Sequence, residues 1–238
     1  MLDWLRQETP QIELAGQVLP VAIRRVSTAK RLTMRLAPDG SEVRITLPRW
    51  GRTAEALDFA KSRAAWLEAQ LGKLTPKVEI GAGSVLPFRG HKLRVEHIAA
   101  RPRKPELLTN AILIGGPASS LTPRLKRCLE GEARALFADD LAFYCARAGK
   151  SAPKLALSGA QRRWGSCSTG GTIRLNWRLV MAPDFVRRSV VAHEVAHLVH
   201  MDHSPRFHAL LEQLFEGDIA AANRWLKREG RSLYAPFG

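Results

Sequence analysis

Between Val191 and His208 the chain reads V-A-H-E-V-A-H-L-V-H-M-D-H-S-P-R-F-H, and five of its seven histidines fall there. The core, His193-Glu194-Val195-Ala196-His197, has the H-E-x-x-H spacing. An α-helix turns about 100° per residue, so His193 and His197 stand about 40° apart on one face, one turn from each other. Two neutral imidazoles so placed suit zinc. Glu194 can reach a water on that ion without ligating the ion itself. Val190, Val191, Val195, Leu198 and Val199 make the flanks apolar, so the helix is expected to be buried, where ionisable residues are rare unless they are used.

A catalytic zinc takes three protein ligands and keeps one position open. The candidates for the third are His200, His203 and His208. Three ligands from one straight helix line up along it and do not enclose an ion, which counts against His200. Ser204-Pro205 is a helix-start signal, with Ser at the N-cap and Pro at the first helical position. The first helix must therefore stop by about Asp202, and His203 lies in the turn, able to fold back over His193 and His197. His203 is the best placed, and His208, in the second helix, comes next.

The stretch H-E-V-A-H-L-V-H-M-D-H-S-P-R-F, with R-W-G-S-C at Arg163–Cys167 and I-R-L-N-W-R-L at Ile173–Leu179, resembles the YgjP-like metallopeptidase family. That family is related to the SprT-like and WLM zinc peptidases within the zincin class. The resemblance is densest from about Leu155 to Leu214. It implies an α+β fold, with a zincin-like catalytic lobe around the H-E-x-x-H helix preceded by a β-rich N-terminal lobe. It also implies a Zn2+ cofactor, a peptide or protein substrate, and a β element flanking the cleft, lined here by Arg163, Trp164, Gly165, Ser166 and Cys167. The chemistry implied is hydrolysis by a zinc-bound water activated by Glu194, with a second electrophile drawn from Arg163, His200, His208 and Tyr234. Asp202 stands where the family often has Asn, and His208 where relatives often carry Trp.

The remaining sequence divides into two expected lobes. Residues 1–118 read as β-rich with one helix at 53–71. Strands are expected at Val18–Val26, Leu32–Leu36 and Val43–Leu47, the last two joined through Pro38-Asp39-Gly40. The helix is capped by Thr53, buries Leu57, Ala60, Ala64, Leu67 and Leu71, and stops at Gly72. Further strands are expected at Lys77–Ile80, Val85–Phe88, Lys92–Ile98 and Ala111–Ile114. The hinge is expected at Gly115–Ser120. Residues 119–238 read as the metallopeptidase lobe. A long helix runs from a Thr122-Pro123 start to about Ala148. Short strands follow at Leu155–Ser158, Gln161–Trp164 and Thr172–Trp177. The metal-binding helix is capped by Asp184, and two closing helices break near Gly217. Lone His91 and His97 read as structural or exposed.

Composition bounds partners and compartment. No apolar run approaches the roughly 18 residues that cross a bilayer. Met1–Pro20 lacks the basic start and apolar centre of a signal peptide. Cys128, Cys145 and Cys167 are odd in number and dispersed, which reads as reduced thiols in a cytoplasmic protein; Cys167 reads as a small buried thiol. The net charge of +15 attracts polyanions at least non-specifically. Residues 1–118 hold 19 Lys+Arg against 11 Asp+Glu and residues 119–238 hold 18 against 11, so the excess is spread evenly, with clusters such as Lys30-Arg31, Arg101–Lys104 and Arg187-Arg188. The default for such clusters is solvated surface.

Zinc metallopeptidase is therefore the leading reading. Its rivals are zinc-dependent hydrolysis of nucleotide phosphoanhydrides, for which no Gly-rich phosphate loop is visible, a DNA-associated protease acting on DNA-bound proteins, and a purely structural zinc site.

Overall fold

The structure, a computed structural model of the chain, describes residues 10–37, 40–72 and 79–237. It forms two compact units, Met1–Pro76 and Lys77–Gly238. The division falls well before residue 118. Leu86, Val95, Ile112 and Ile114, from strands assigned by sequence to the first lobe, share one core with Leu125, Leu129 and Ala133 of the long helix.

In the first unit, β1 (Gln11–Leu14) and β2 (Gln17–Val26) form a hairpin. Its two turn residues, Ala15 and Gly16, both take left-handed backbone, φ 48° and 76°, which matches the twist of the flanking strands. β3 (Thr33–Leu36) pairs antiparallel with β4 (Val43–Pro48), as the sequence predicts. Pro38 and Asp39 of the joining turn lie outside the described residues. The strand order is β1-β2-β4-β3, with β2 and β4 parallel. The expected single helix is two, α1 (Thr53–Ser62) and α2 (Ala64–Leu71). The break is at Arg63 (φ −113°, ψ 17°), where the Ser62 hydroxyl donates back to the Phe59 carbonyl, a local bond that competes with the helix. Arg52 rather than Thr53 is the N-cap. Leu14, Val21, Val43, Ile45 and Leu47 pack on Ala56, Ala60 and Leu67, so one sheet face is core and the other stays open.

The second unit begins with β5 (Val85–Phe88), β6 (His91–His97), β7 (Glu106–Leu107) and β8 (Ala111–Ile114), in the order β5-β6-β8-β7. Of the strand expected at Lys77–Ile80, the first two residues lie outside the described ones, and Glu79 and Ile80 are not strand. α3 (Leu121–Arg147) follows. Thr122 and Pro123 sit inside its first turn, and the Thr122 hydroxyl donates to the Ile80 carbonyl at 3.0 Å instead of capping. The glycine-rich stretch read as a hinge is stitched down. The buried Arg124 guanidinium donates to the carbonyls of Arg103, Gly115, Pro117 and Ser120, and His97 Nε2 lies 2.6 Å from the Gly116 carbonyl.

A three-stranded sheet, order β10-β11-β9, then leads to the histidine-bearing helix. Its strands are β9 (Leu155–Ser158), β10 (Gly165–Cys167) and β11 (Ile173–Asn176). The strand expected at Gln161–Trp164 is displaced to Gly165–Cys167, because pairing with β11 begins at Gly165↔Leu175. α4 (Asp184–Ala196), α5 (Pro205–Leu214) and α6 (Ile219–Glu229) complete the unit. Pro183, not Asp184, is the N-cap of α4. Among the described residues no helix is long and apolar enough to cross a membrane.

Candidate metal centre

α4 carries His193 in its last turn and ends at Ala196, with His197 as its C-cap. The chain then turns and re-enters helix at Pro205, with Ser204 at the N-cap and Pro at the first position. That turn brings His203 back over α4. One ring nitrogen from each of His193, His197 and His203 lies within 4.8 Å of the other two, and the His193 and His203 Nε2 atoms are 3.3 Å apart. The ring centroids stand 4.7–5.2 Å from one another.

Phe207, fully buried, sits beneath all three imidazoles at 4.9, 4.6 and 4.8 Å from His193, His197 and His203. This apolar floor was not singled out from sequence. Its signal was there, since a large apolar residue stands four positions after His203 in the first turn of α5. His208 projects from the exposed side of the same helix, its ring 6.4 Å from that of His203, and stays outside the three-histidine group. His200 contributes its backbone, as its carbonyl accepts from His197 Nδ1 at 3.1 Å. That bond puts the proton on Nδ1 and leaves Nε2 as the free lone pair, the tautomer a metal ligand needs. The Asp202 carboxylate accepts from the Ser204 N–H. Burial and the neighbouring imidazoles His197, His203 and His208 push His193 down to about 4. Burial lowers His197 as well.

Glu194, the residue after His193, is 5% exposed. Its Oε2 is buried without a hydrogen-bond partner. Burial raises its pKa to about 7, and the nearby Arg163 charge opposes the rise. The carboxylate lies on the backbone of Gly165. A Cβ added there would fall 2.6 Å from Cγ and 2.7 Å from Cδ of Glu194.

The other residues of R-W-G-S-C divide by role. Arg163 is exposed, near enough for its charge to act on Glu194. Ser166 and Cys167 are half-buried in β10. Burial first, then Glu194, raises the Cys167 thiol, which keeps it protonated. Trp164 is a packing residue. Its ring lies 5.6 Å from that of Tyr234, and Gly230 sits so close that a Cβ would come 2.9 Å from its Cζ2. Tyr234 is likewise committed. Its hydroxyl donates to the Ala160 carbonyl at 2.9 Å and accepts from Asn176 Nδ2 at 3.0 Å, so it serves to pin the C-terminal segment to β11.

An ionic network with a buried pair at its centre holds α4 in place. Arg187 Nε donates to Asp140 of α3 at 2.7 Å, and the two side chains are 4% and 5% exposed. Arg187 also bonds Asp184, which takes a bidentate pair from Arg89. Arg188 donates to the Tyr144 hydroxyl at 3.1 Å and pairs with Glu216 at 2.5 Å. The Arg187-Arg188 pair, read from sequence as a basic surface cluster, is thus neutralised internally.

The donor set fits one divalent cation. Three imidazoles converge, two of them held neutral by burial, and Glu194, next in the chain to His193, has a buried carboxylate oxygen without a hydrogen-bond partner. A family model described as YgjP-like, metallopeptidase domain, matches residues 30–229. No curated protein matches the chain, and no solved structure does.

Proposed function

The chain belongs to the YgjP-like metallopeptidase family, and on that footing we propose that it hydrolyses peptide bonds with zinc held by His193, His197 and His203 and with Glu194 as the base. The observation that carries this reading is the convergence of three imidazoles, one of them on the residue just before Glu194, whose carboxylate is buried and unpartnered. Three imidazole nitrogens suit zinc better than the oxygen-loving cations, and three protein ligands are the number a catalytic site uses. When bound, the ion supplies Lewis acidity at a substrate carbonyl and acidifies a water.

The rest falls to the chain's own residues. Glu194 takes a proton from the attacking water and returns it to the departing amine. A carboxyl near neutrality is suited to both steps, and a divalent cation beside it draws it toward the ionised form. Gly165 lets that carboxylate seat itself by having no side chain. Arg163 offers a positive charge on the same side, where a developing oxyanion gains from it. The Tyr234 hydroxyl is already engaged, which leaves Arg163 the stronger candidate for that part. β10 has β11 on one side and, among the described residues, no strand on the other. A substrate peptide can add there by main-chain hydrogen bonds, an attachment indifferent to its sequence.

The test is to load the protein with zinc, offer an unfolded protein and, separately, nucleoside triphosphates, and read products by mass spectrometry and phosphate release. New peptide termini without phosphate release support the proposal. Phosphate release alone assigns the site to phosphoanhydrides instead.

A further inference from the structure

The even spread of basic residues along the sequence conceals an uneven one in space. From Val21 to Ala37 and again from Val43 to Ala54 there is no acidic residue, and these two stretches hold eight Lys or Arg. The sheet of the first unit folds them onto one end. β2 and β4 run parallel, in register from Val21↔Val43 to Val26↔Pro48, so both finish at the same edge. β3 runs antiparallel to β4 and starts opposite Thr46, so the residues leading into it also belong to that edge. Gathered there are Arg24 and Arg25 from the end of β2, Lys30 and Arg31 before β3, and Arg49 and Arg52 after β4, all exposed. Arg35 and Arg44, a cross-strand pair, continue the positive charge onto the open sheet face. Arg44 is paired with Glu42. Among the described residues none of the six edge cations is in an ion pair with a carboxylate, in contrast to Arg187 and Arg188.

In the middle of this edge stands Trp50, 78% exposed. It is displayed on a tight turn, not left loose. The Gly51 N–H donates to the Pro48 carbonyl at 3.0 Å. Gly51 is packed so close that a Cβ would come 3.2 Å from the Leu47 Cβ. The Arg25 guanidinium braces the turn through the Gly51 carbonyl at 3.4 Å and the Thr53 hydroxyl at 2.8 Å. The turn is fixed, and most of the aromatic side chain it carries faces water.

We infer that this edge binds single-stranded nucleic acid, with the arginines on the phosphates and Trp50 stacked on an unpaired base. Five of the six cations are arginine, whose planar fork pairs with phosphate oxygens and stacks on bases. The flat face of an aromatic accepts any base but only one freed from a duplex, and cations flanking such a platform are the usual means of holding a single strand. An anionic membrane is the poorer fit. Among the described residues the other large exposed hydrophobics of the unit are Val18, at the opposite end of β2, and Trp66, on α2, so no apolar patch is built from this stretch of chain.

The test uses the full chain and measures anisotropy of labelled oligothymidylate, oligouridylate and a duplex, with phosphatidylserine vesicles as a further arm. Binding to the single strands is expected to weaken with salt, with a slope of about −0.7 per phosphate contacted. Trp50→Ala is expected to weaken it about tenfold, and Trp50→Phe to restore most of the loss. Arg31→Glu with Arg49→Glu should lower both affinity and salt slope. Arg224→Glu with Arg228→Glu on α6 changes the net charge equally and should not. Equal losses from both charge pairs would mean that only the overall charge matters and would overturn the inference. So would binding unaffected by Trp50→Ala, or binding to vesicles and not to single strands.

Discussion

The side chain of Glu194 rests on the backbone of Gly165, and no residue with a Cβ fits at that place without moving the carboxylate. Two elements that are separate in sequence, the start of β10 and the last turns of α4, thereby determine where the proposed base stands. Gly165→Ala is expected to leave metal content unchanged and to lower kcat by about 10²-fold or more, in the range ascribed to general acid–base catalysis. Metal analysis beside single-turnover cleavage checks this. A fully active variant would mean that Glu194 does not act from this position.

His203 and His208 are separable by metal affinity. His203→Ala should weaken zinc binding by more than the roughly 10–100-fold that loss of an orienting partner costs. His208→Ala should change it little, because that ring stands outside the converging three. Competition with a chromogenic chelator measures both.

The Asp140–Arg187 pair is nearly inaccessible to solvent. Asp140→Ala leaves a guanidinium buried without its main partner and is expected to cost about 3–5 kcal/mol of stability. The loss should appear in the denaturant midpoint of the metal-free protein, where a change in metal affinity cannot contribute.

Asp184 supplies a pH dependence. Burial works to raise its pKa, but the bonds and charges of Arg89 and Arg187 outweigh burial and hold it below the ordinary value of 3.8. A carboxylate lowered on folding contributes stability that is full above its unfolded value and is lost as pH falls through its folded value. Wild type should therefore be more stable than Asp184→Asn at about pH 7, with the gap closing below about pH 4. Unfolding midpoints of both proteins across that range provide the measurement.

Much of this was legible in the sequence because it is local. Ser204-Pro205 announced where α5 begins, and with it the turn that returns His203 to α4. Short runs punctuated by Gly, Pro and Asn gave Val85–Phe88, Ala111–Ile114 and Leu155–Ser158 as strands. What stayed hidden depends on partners distant along the chain. Asp140 and Arg187 are 47 residues apart, so Arg187-Arg188 looked like a surface cluster. Tyr234 is occupied by Asn176 and Ala160, 58 and 74 residues earlier. Gly165 was named as a cleft residue, but only the fold gives the reason it must be glycine. Gly115–Ser120 has a hinge's composition, while the Arg124 side chain that fastens it belongs to the following helix.

The central claim is that Glu194 moves the proton while the three histidines hold the ion. The most direct measurement compares zinc-loaded wild type with Glu194→Gln, matched for zinc content, on an unfolded protein substrate. Both are expected to bind one equivalent of zinc, and only wild type to cut. Cleavage by the Gln variant at the wild-type rate, with zinc bound in both, would contradict it.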